Sequence, residues 1–267
     1  MSTLFFLIGP AGFSQGNLLV TPKRLVFEGV KRSADLNIAN IGKDTATYAI
    51  SFVQIRMNED GSFEQITTPD EGQLFADKNL RFFPRSVTLA PNESQVIKVQ
   101  LLKQNQLSAG EYRSHIYFRA VPKRQALGEK EKLIDSTAIA IRLTPIFGIT
   151  IPAIIRIGEP DVQVTLSELA FVHTGDGSPA LDLKFNRTGK YSVYGDLAVD
   201  HVAPDGTVTR IGVANGLAVY TPTHARRFQL VLASARVNYE AGKLMVTFSA
   251  PSDVKPERYA EAELILK

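Results

Sequence analysis

The chain has 267 residues, 44% of them hydrophobic and 21% charged, which is enough for one large or two ordinary domains with real cores. It has no cysteine, so structural disulfides and thiolate chemistry are excluded. The formal net charge is +3 and no run of Lys or Arg exceeds two residues, so nothing here calls for a nucleic-acid partner or an anionic membrane surface.

The chain opens on a short apolar run, Leu4 to Phe13 (LFFLIGPAGF), followed by Ser14-Gln15-Gly16. Small residues at 14 and 16 fit cleavage by a signal peptidase after Gly16, so residues 1–16 are expected to be an export signal; no Lys or Arg precedes the run, which leaves a longer signal that begins upstream and a plain apolar leader as alternatives. The run is too short to span a bilayer as a helix, and no other segment is a membrane candidate.

From Leu18 onward, short alternating segments are separated by turn residues, and no stretch keeps a helical period. Strands are expected at Leu18–Phe27, Ser33–Ile41, Ala46–Met57, Arg81–Leu89, Gln95–Leu102, Tyr112–Val121 and Leu133–Ile155. Ala34, Leu36 and Ile38 alternate with Asp35 and Asn37; Ile97, Val99 and Leu101 alternate with Lys98 and Gln100. That pattern gives each strand one dry and one wet face. Asn58–Leu80 reads as a polar loop, and Lys123–Lys132 (KRQALGEKEK) as a charged one. Seven strands over this length read as an Ig-like sandwich.

The last of these strand signals is unusually long: LIDSTAIAIRLTPIFGITIPAII. Its apolar residues keep one parity through Ile139, Ile141 and Leu143, and resume it after Pro145 at Phe147, Ile149 and Ile151. Residues two apart in a strand share a face, so these form one row. Either the strand is wholly buried in its own domain, or its row is offered to another chain.

A boundary falls at Gly158-Glu159-Pro160. Residues 17–157 are expected to form one domain and 158–267 a second β-sandwich. The second half offers strands at Val162–Leu166, Ala180–Phe185, Ser192–Val199, Thr207–Val213, Arg226–Leu232, Gly242–Ser249 and Glu261–Leu266, with Asp176-Gly177 and Asp205-Gly206 as hairpin turns.

Nothing in the chain forms a visible catalytic constellation. His115, His173, His201 and His224 have no metal-ligand spacing and are read as structural. Asp60, Asp176 and Asp205 each precede a Gly and are given turn duty. No phosphate loop, nucleophile elbow or carboxylate dyad stands out. The reading is therefore not an enzyme, with no cofactor and no metal. The pair Arg226-Arg227 is read as a solvated strand start.

Several segments, taken in order, carry a resemblance. Val20-Thr21-Pro22-Lys23-Arg24-Leu25-Val26-Phe27-Glu28-Gly29 comes first, followed by Ala34–Asn40 (ADLNIAN). Later come Phe82-Phe83-Pro84-Arg85, then Leu89-Ala90-Pro91-Asn92-Glu93-Ser94-Gln95, and Glu111–Pro122 (EYRSHIYFRAVP). Together these resemble the periplasmic chaperones of the chaperone–usher pilus pathway, over Leu18 to Arg156. The resemblance implies an all-β fold of two Ig-like sandwich domains in a bent (L-shaped) arrangement, a periplasmic location, and pilin subunits and an outer-membrane usher as partners.

It also implies two functional parts. One is a donor strand that completes an unfinished pilin sandwich by β-addition, here Ile139, Ile141 and Leu143, extended by Phe147. The other is a cationic anchor for the subunit's C-terminal carboxylate. Arg24 matches the family Arg of the first strand. The family's Lys and the Arg before its Pro are absent, because the chain has Ile146-Phe147-Gly148-Ile149-Thr150-Ile151-Pro152 there. Arg142 and Arg156 are the only nearby cations, which leaves the anchor as Arg24 alone or Arg24 with Arg142. Pairing of last strands in a homodimer would hide a sticky edge when no subunit is bound. The rival reading is an Ig-like surface or adhesin module whose row faces its own core.

Overall fold

The structure is a computed structural model and describes residues 18–122, 146–233, 237–252 and 254–266. Ile139, Ile141, Arg142 and Leu143 lie outside the described residues, as does the leader at 1–16.

The first strands in chain order are β1 (Leu18–Thr21), β2 (Leu25–Phe27), β3 (Ser33–Asn40), β4 (Ala46–Met57), β5 (Phe63–Ile66), β6 (Leu80–Phe83), β7 (Ser86–Leu89), β8 (Ser94–Leu101), β9 (Gly110–Val121) and β10 (Gly148–Ile157). They form a four-stranded sheet ordered β1-β3-β8-β6 and a second sheet ordered β2-β10-β9-β4-β5, with β7 also paired to β4. Then come β11 (Gln163–His173), β12 (Pro179–Thr188), β13 (Val193–Val202), β14 (Val208–Val219), β15 (Ala225–Val231), β16 (Lys243–Ser249) and β17 (Arg258–Ile265). Their sheets are ordered β11-β12-β15 and β14-β13-β16-β17. The all-β expectation holds.

Two expected strands are each split in two. The run over 18–27 becomes β1 and β2, and the run over 81–89 becomes β6 and β7. Pro22 and Pro84 stand at the breaks. Proline offers no N–H to a ladder, so each is a natural place for the chain to leave one sheet and join the other. The expected polar loop over 58–80 also holds more structure than its composition suggested. It contains β5, hairpinned onto β4 from Gln54↔Ile66 to Met57↔Phe63, and a 3-10 turn at Asp77–Asn79. Glu64 and Gln65 hide the strand signal, since β5 is exposed along most of its length.

The chain divides into two compact units. One holds 18–52, 77–102, 115–122 and 146–153; the other holds 53–76, 103–114 and the described residues from 154 onward. Strands β4, β9 and β10 contribute residues to both.

In the first unit the period-2 pattern sets the core. Leu36, Ile38, Ile97 and Val99 are fully buried, while Asp35, Asn37, Lys98 and Gln100 between them are exposed. Leu25, Phe27, Ile116 and Phe118 line the opposing sheet. Phe52 on β4 meets Phe82 on β6 edge to face at 5.0 Å. Each such buried side chain contributes about 1.5–3 kcal/mol. Asn40 is also fully buried, and its polar groups are all used locally. Its amide donates to the Asp44 and Leu89 carbonyls at 2.8 and 3.0 Å, and its side-chain oxygen accepts from Gly42 N.

The second unit closes on Leu181, Leu183 and Phe185 from one sheet and Leu197, Val199, Leu244, Val246 and Phe248 from the other. The turn assignments hold. Asp176 accepts from Ser178 N, Asp205 accepts from Thr207 N, and Gly177 and Gly206 take positive φ. β11 runs on to His173, well past the expected end at Leu166, because a bulge between Ser167 and Ala170 lets the strand resume its register with β12.

Candidate functional site

The row predicted on the long apolar segment enters the described residues at Phe147. There the chain joins the sheet: the Phe147 carbonyl accepts from Ala120 N on β9 at 3.0 Å. Gly148, the first residue of β10, sits directly against Tyr117 of β9. A Cβ at 148 would lie 2.1 Å from the Tyr117 ring, so only glycine lets the strand approach this closely. Around this point four apolar side chains face solvent. Phe147 is 63% exposed, Ile146 47%, Val121 39% and Ile149 37%. Further along the same parity Ile151 is buried at 5%. The row therefore does not have one environment. Its head is open and its tail belongs to the protein's own core, which corrects the expectation of a uniform face through Ile151.

The sheet order adds a second property. β10 lies between β9 and β2, and β2 has only three residues against ten in β10. Such a short strand can ladder only a fraction of β10. Arg24 stands just before β2, half-buried, in the gap between β1 and β2. Its expected partner Arg142 lies outside the described residues.

Arg156, the other cation noted near the anchor, is already committed within the second unit. Its Nε donates to Glu111 at 3.2 Å and its Nη2 to the Ser192 carbonyl at 3.0 Å. Glu111 is the centre of a buried polar cluster. Arg113 donates to it at 2.7 Å, and Ser192 donates from both Oγ at 2.7 Å and N at 3.1 Å. The Arg113 guanidinium also lies 3.7 Å from the Tyr220 ring centroid. Burial pushes the Glu111 carboxyl upward. The Arg113 and Arg156 charges and the Ser192 bond outweigh it, so the group sits below its ordinary range. The sequence reading passed over this cluster. Its one trace in the sequence is Glu111-x-Arg113, opposite charges two apart and so on one face of β9.

The other residues marked in the sequence take structural roles. His115 and His201 are buried, and His201 Nε2 bonds the Ala241 carbonyl. His173 packs edge-on to Phe171, and His224 meets the Arg187 carbonyl. Asp60 caps its turn through Ser62. Arg226 is not the solvated residue expected. It donates to the Ala218 carbonyl at 2.5 Å and lies over Phe228, and burial lowers its pKa. Arg227 does face solvent and pairs with Glu168 at 2.8 Å. Among the described residues no cluster of His, Cys, Asp and Glu could hold a metal ion. No described helix is long and apolar enough to cross a membrane.

No family model matches the chain, and no curated protein matches it. Among solved structures, the Pseudomonas aeruginosa CupB2 chaperone is similar over 93% of this chain and 100% of its own, at 15% identity and a TM-score of 0.47. The class 5 fimbriae chaperone CfaA is similar over 94% and 99%, at 15% identity and a TM-score of 0.43. A structure of the CsuC–CsuE chaperone–tip adhesion subunit complex from Acinetobacter baumannii is similar over 92% and 97%, at 12% identity and a TM-score of 0.45.

Proposed function

We propose that this protein is an exported periplasmic chaperone that binds pilin subunits by lending them a strand and hands them to an outer-membrane usher. The observation that carries this reading is the open head of the apolar row. Phe147 and Ile149 are exposed on a strand only partly covered by its short neighbour, and their parity runs back through Leu143, Ile141 and Ile139. An apolar row that points outward from a strand is costly in a lone molecule and useful in a complex. Added to the gap of an incomplete sandwich, its backbone would complete the ladder and its alternate side chains would fill the groove, each contributing about 1.5–3 kcal/mol. Arg24, with Arg142, would hold the subunit's terminal carboxylate by charge-assisted hydrogen bonds. No step in this cycle requires catalysis, a nucleotide or a metal.

The test is co-expression with a pilin subunit lacking its final strand. The wild-type chain should give a soluble 1:1 complex, and Ile141→Asp should abolish it, because a carboxylate would enter a dry groove at a cost of several kcal/mol. An unchanged yield of complex with Ile141→Asp overturns the assignment. An inert surface module gives no complex with either chain.

A further inference from the structure

We infer that the first unit carries a second binding site, for an extended acidic peptide segment, in the open seam between β4 and β6. The site is a cavity of ≈ 330 Å³ whose apolar lining is Ile50, Phe52, Leu80, Phe82 and Leu102. The Phe52–Phe82 pair, from facing sheets, is part of this lining. Three cations, Lys78, Arg81 and Arg85, line the same cavity against one carboxylate, Asp77. All three are exposed, and none of their side chains pairs with a described residue. Three cations against one carboxylate leave a net positive charge around an apolar lining, which favours an anionic ligand that also has an apolar group to bury.

The backbone decides what kind of ligand. Among the described strands, β6 is the last in its sheet and ladders to β8 alone. β4 has β9 along one edge; along the other it pairs with β7 up to Ala49 and with β5 from Gln54, and no described strand ladders to the stretch between. On that side Ile50 N donates to the Arg85 carbonyl at 2.9 Å. An extended peptide can use such an edge, where a compact anion cannot. Carboxylates at alternate positions would reach the cations while the apolar residue between them meets the aromatic pair. In the sheet order β9 separates β4 from β10. A peptide in this seam and a subunit on β10 would therefore use different strands, and this site stands whether or not the chaperone reading does.

The experiment is fluorescence anisotropy of the full chain with labelled Asp-Leu-Asp-Leu-Asp, compared with labelled Asn-Leu-Asn-Leu-Asn and with inorganic phosphate as competitor. The acidic peptide should bind with a Kd below about 1 mM. It should bind at least tenfold more tightly than the neutral peptide and weaken as salt is raised. The R81E/R85E variant should lose binding at least tenfold with an unchanged far-UV circular dichroism spectrum. Should that variant misfold, Arg81→Gln serves in its place, with a loss of threefold or more expected. Equal affinity for the neutral peptide, no effect of the charge changes, no saturable binding, or displacement by phosphate at the peptide's own concentration would each overturn the proposal.

Discussion

Glu111 at the start of β9 and Arg156 near the end of β10 are 45 residues apart in the chain, yet their side chains meet at 3.2 Å in a partly buried ion pair. The Glu111 side chain is completely enclosed. A carboxylate in that position persists only because Arg113, Arg156 and Ser192 together replace the water it has lost. The pair thus ties the last described strand of the first half to the strand before it.

Glu111→Gln should destabilise the fold by about 3–5 kcal/mol, because two guanidiniums lose their counter-charge in a buried setting. The loss should depend on pH. The folded carboxyl titrates below its ordinary value, so its contribution is complete above the unfolded value of about 4.3 and disappears as pH falls through the folded one. Urea midpoints of the two chains should therefore be well apart at neutral pH and converge on acidification. A gap that widens toward acid would contradict the assignment of Glu111 as the ionised centre.

Phe147 tests whether the exposed row serves a partner or the protein itself. Phe147→Asp should change stability by no more than about 0.5 kcal/mol, since the side chain is mostly in water. Binding of a pilin lacking its final strand should nonetheless fall at least tenfold. Loss of stability without loss of binding would mean that the residue supports its own domain.

Arg24→Ala addresses the anchor. A charge-assisted bond to a carboxylate is worth about 1.5–3 kcal/mol, so the subunit complex should weaken by roughly ten- to a hundredfold. Amidation of the subunit's C-terminus should weaken the wild-type complex and have no further effect on the variant. Additive losses would place the carboxylate elsewhere.

Gly148→Ala should displace the head of β10, because the new methyl would overlap the Tyr117 ring. Overpacking of this kind costs about 1–3 kcal/mol. Tyr117→Ala should remove much of that penalty, and a double-mutant cycle on urea midpoints would report the coupling. Two independent, additive losses would show that the ring moves aside.

Much of the architecture could be read from residue order alone, because strand alternation is a local property. Leu36, Ile38, Ile97 and Val99 are dry and their neighbours wet, as the pattern requires. The turns at Asp176-Gly177 and Asp205-Gly206 follow from side chains acting on their own backbone. The chain as a string also marked the row that leads into Phe147. It left two things undecided that depend on which strands become neighbours. One is environment along a single parity: Phe147 and Ile149 face water while Ile151 is buried, and nothing in the alternation tells them apart. The other is long-range polar pairing. Glu111, Arg113, Arg156 and Ser192 look like ordinary strand charges and a serine until folding gathers them around the enclosed Glu111 carboxylate. Periodicity acts over two residues and sets the face a side chain takes. Desolvation acts over the whole unit and sets what that face meets.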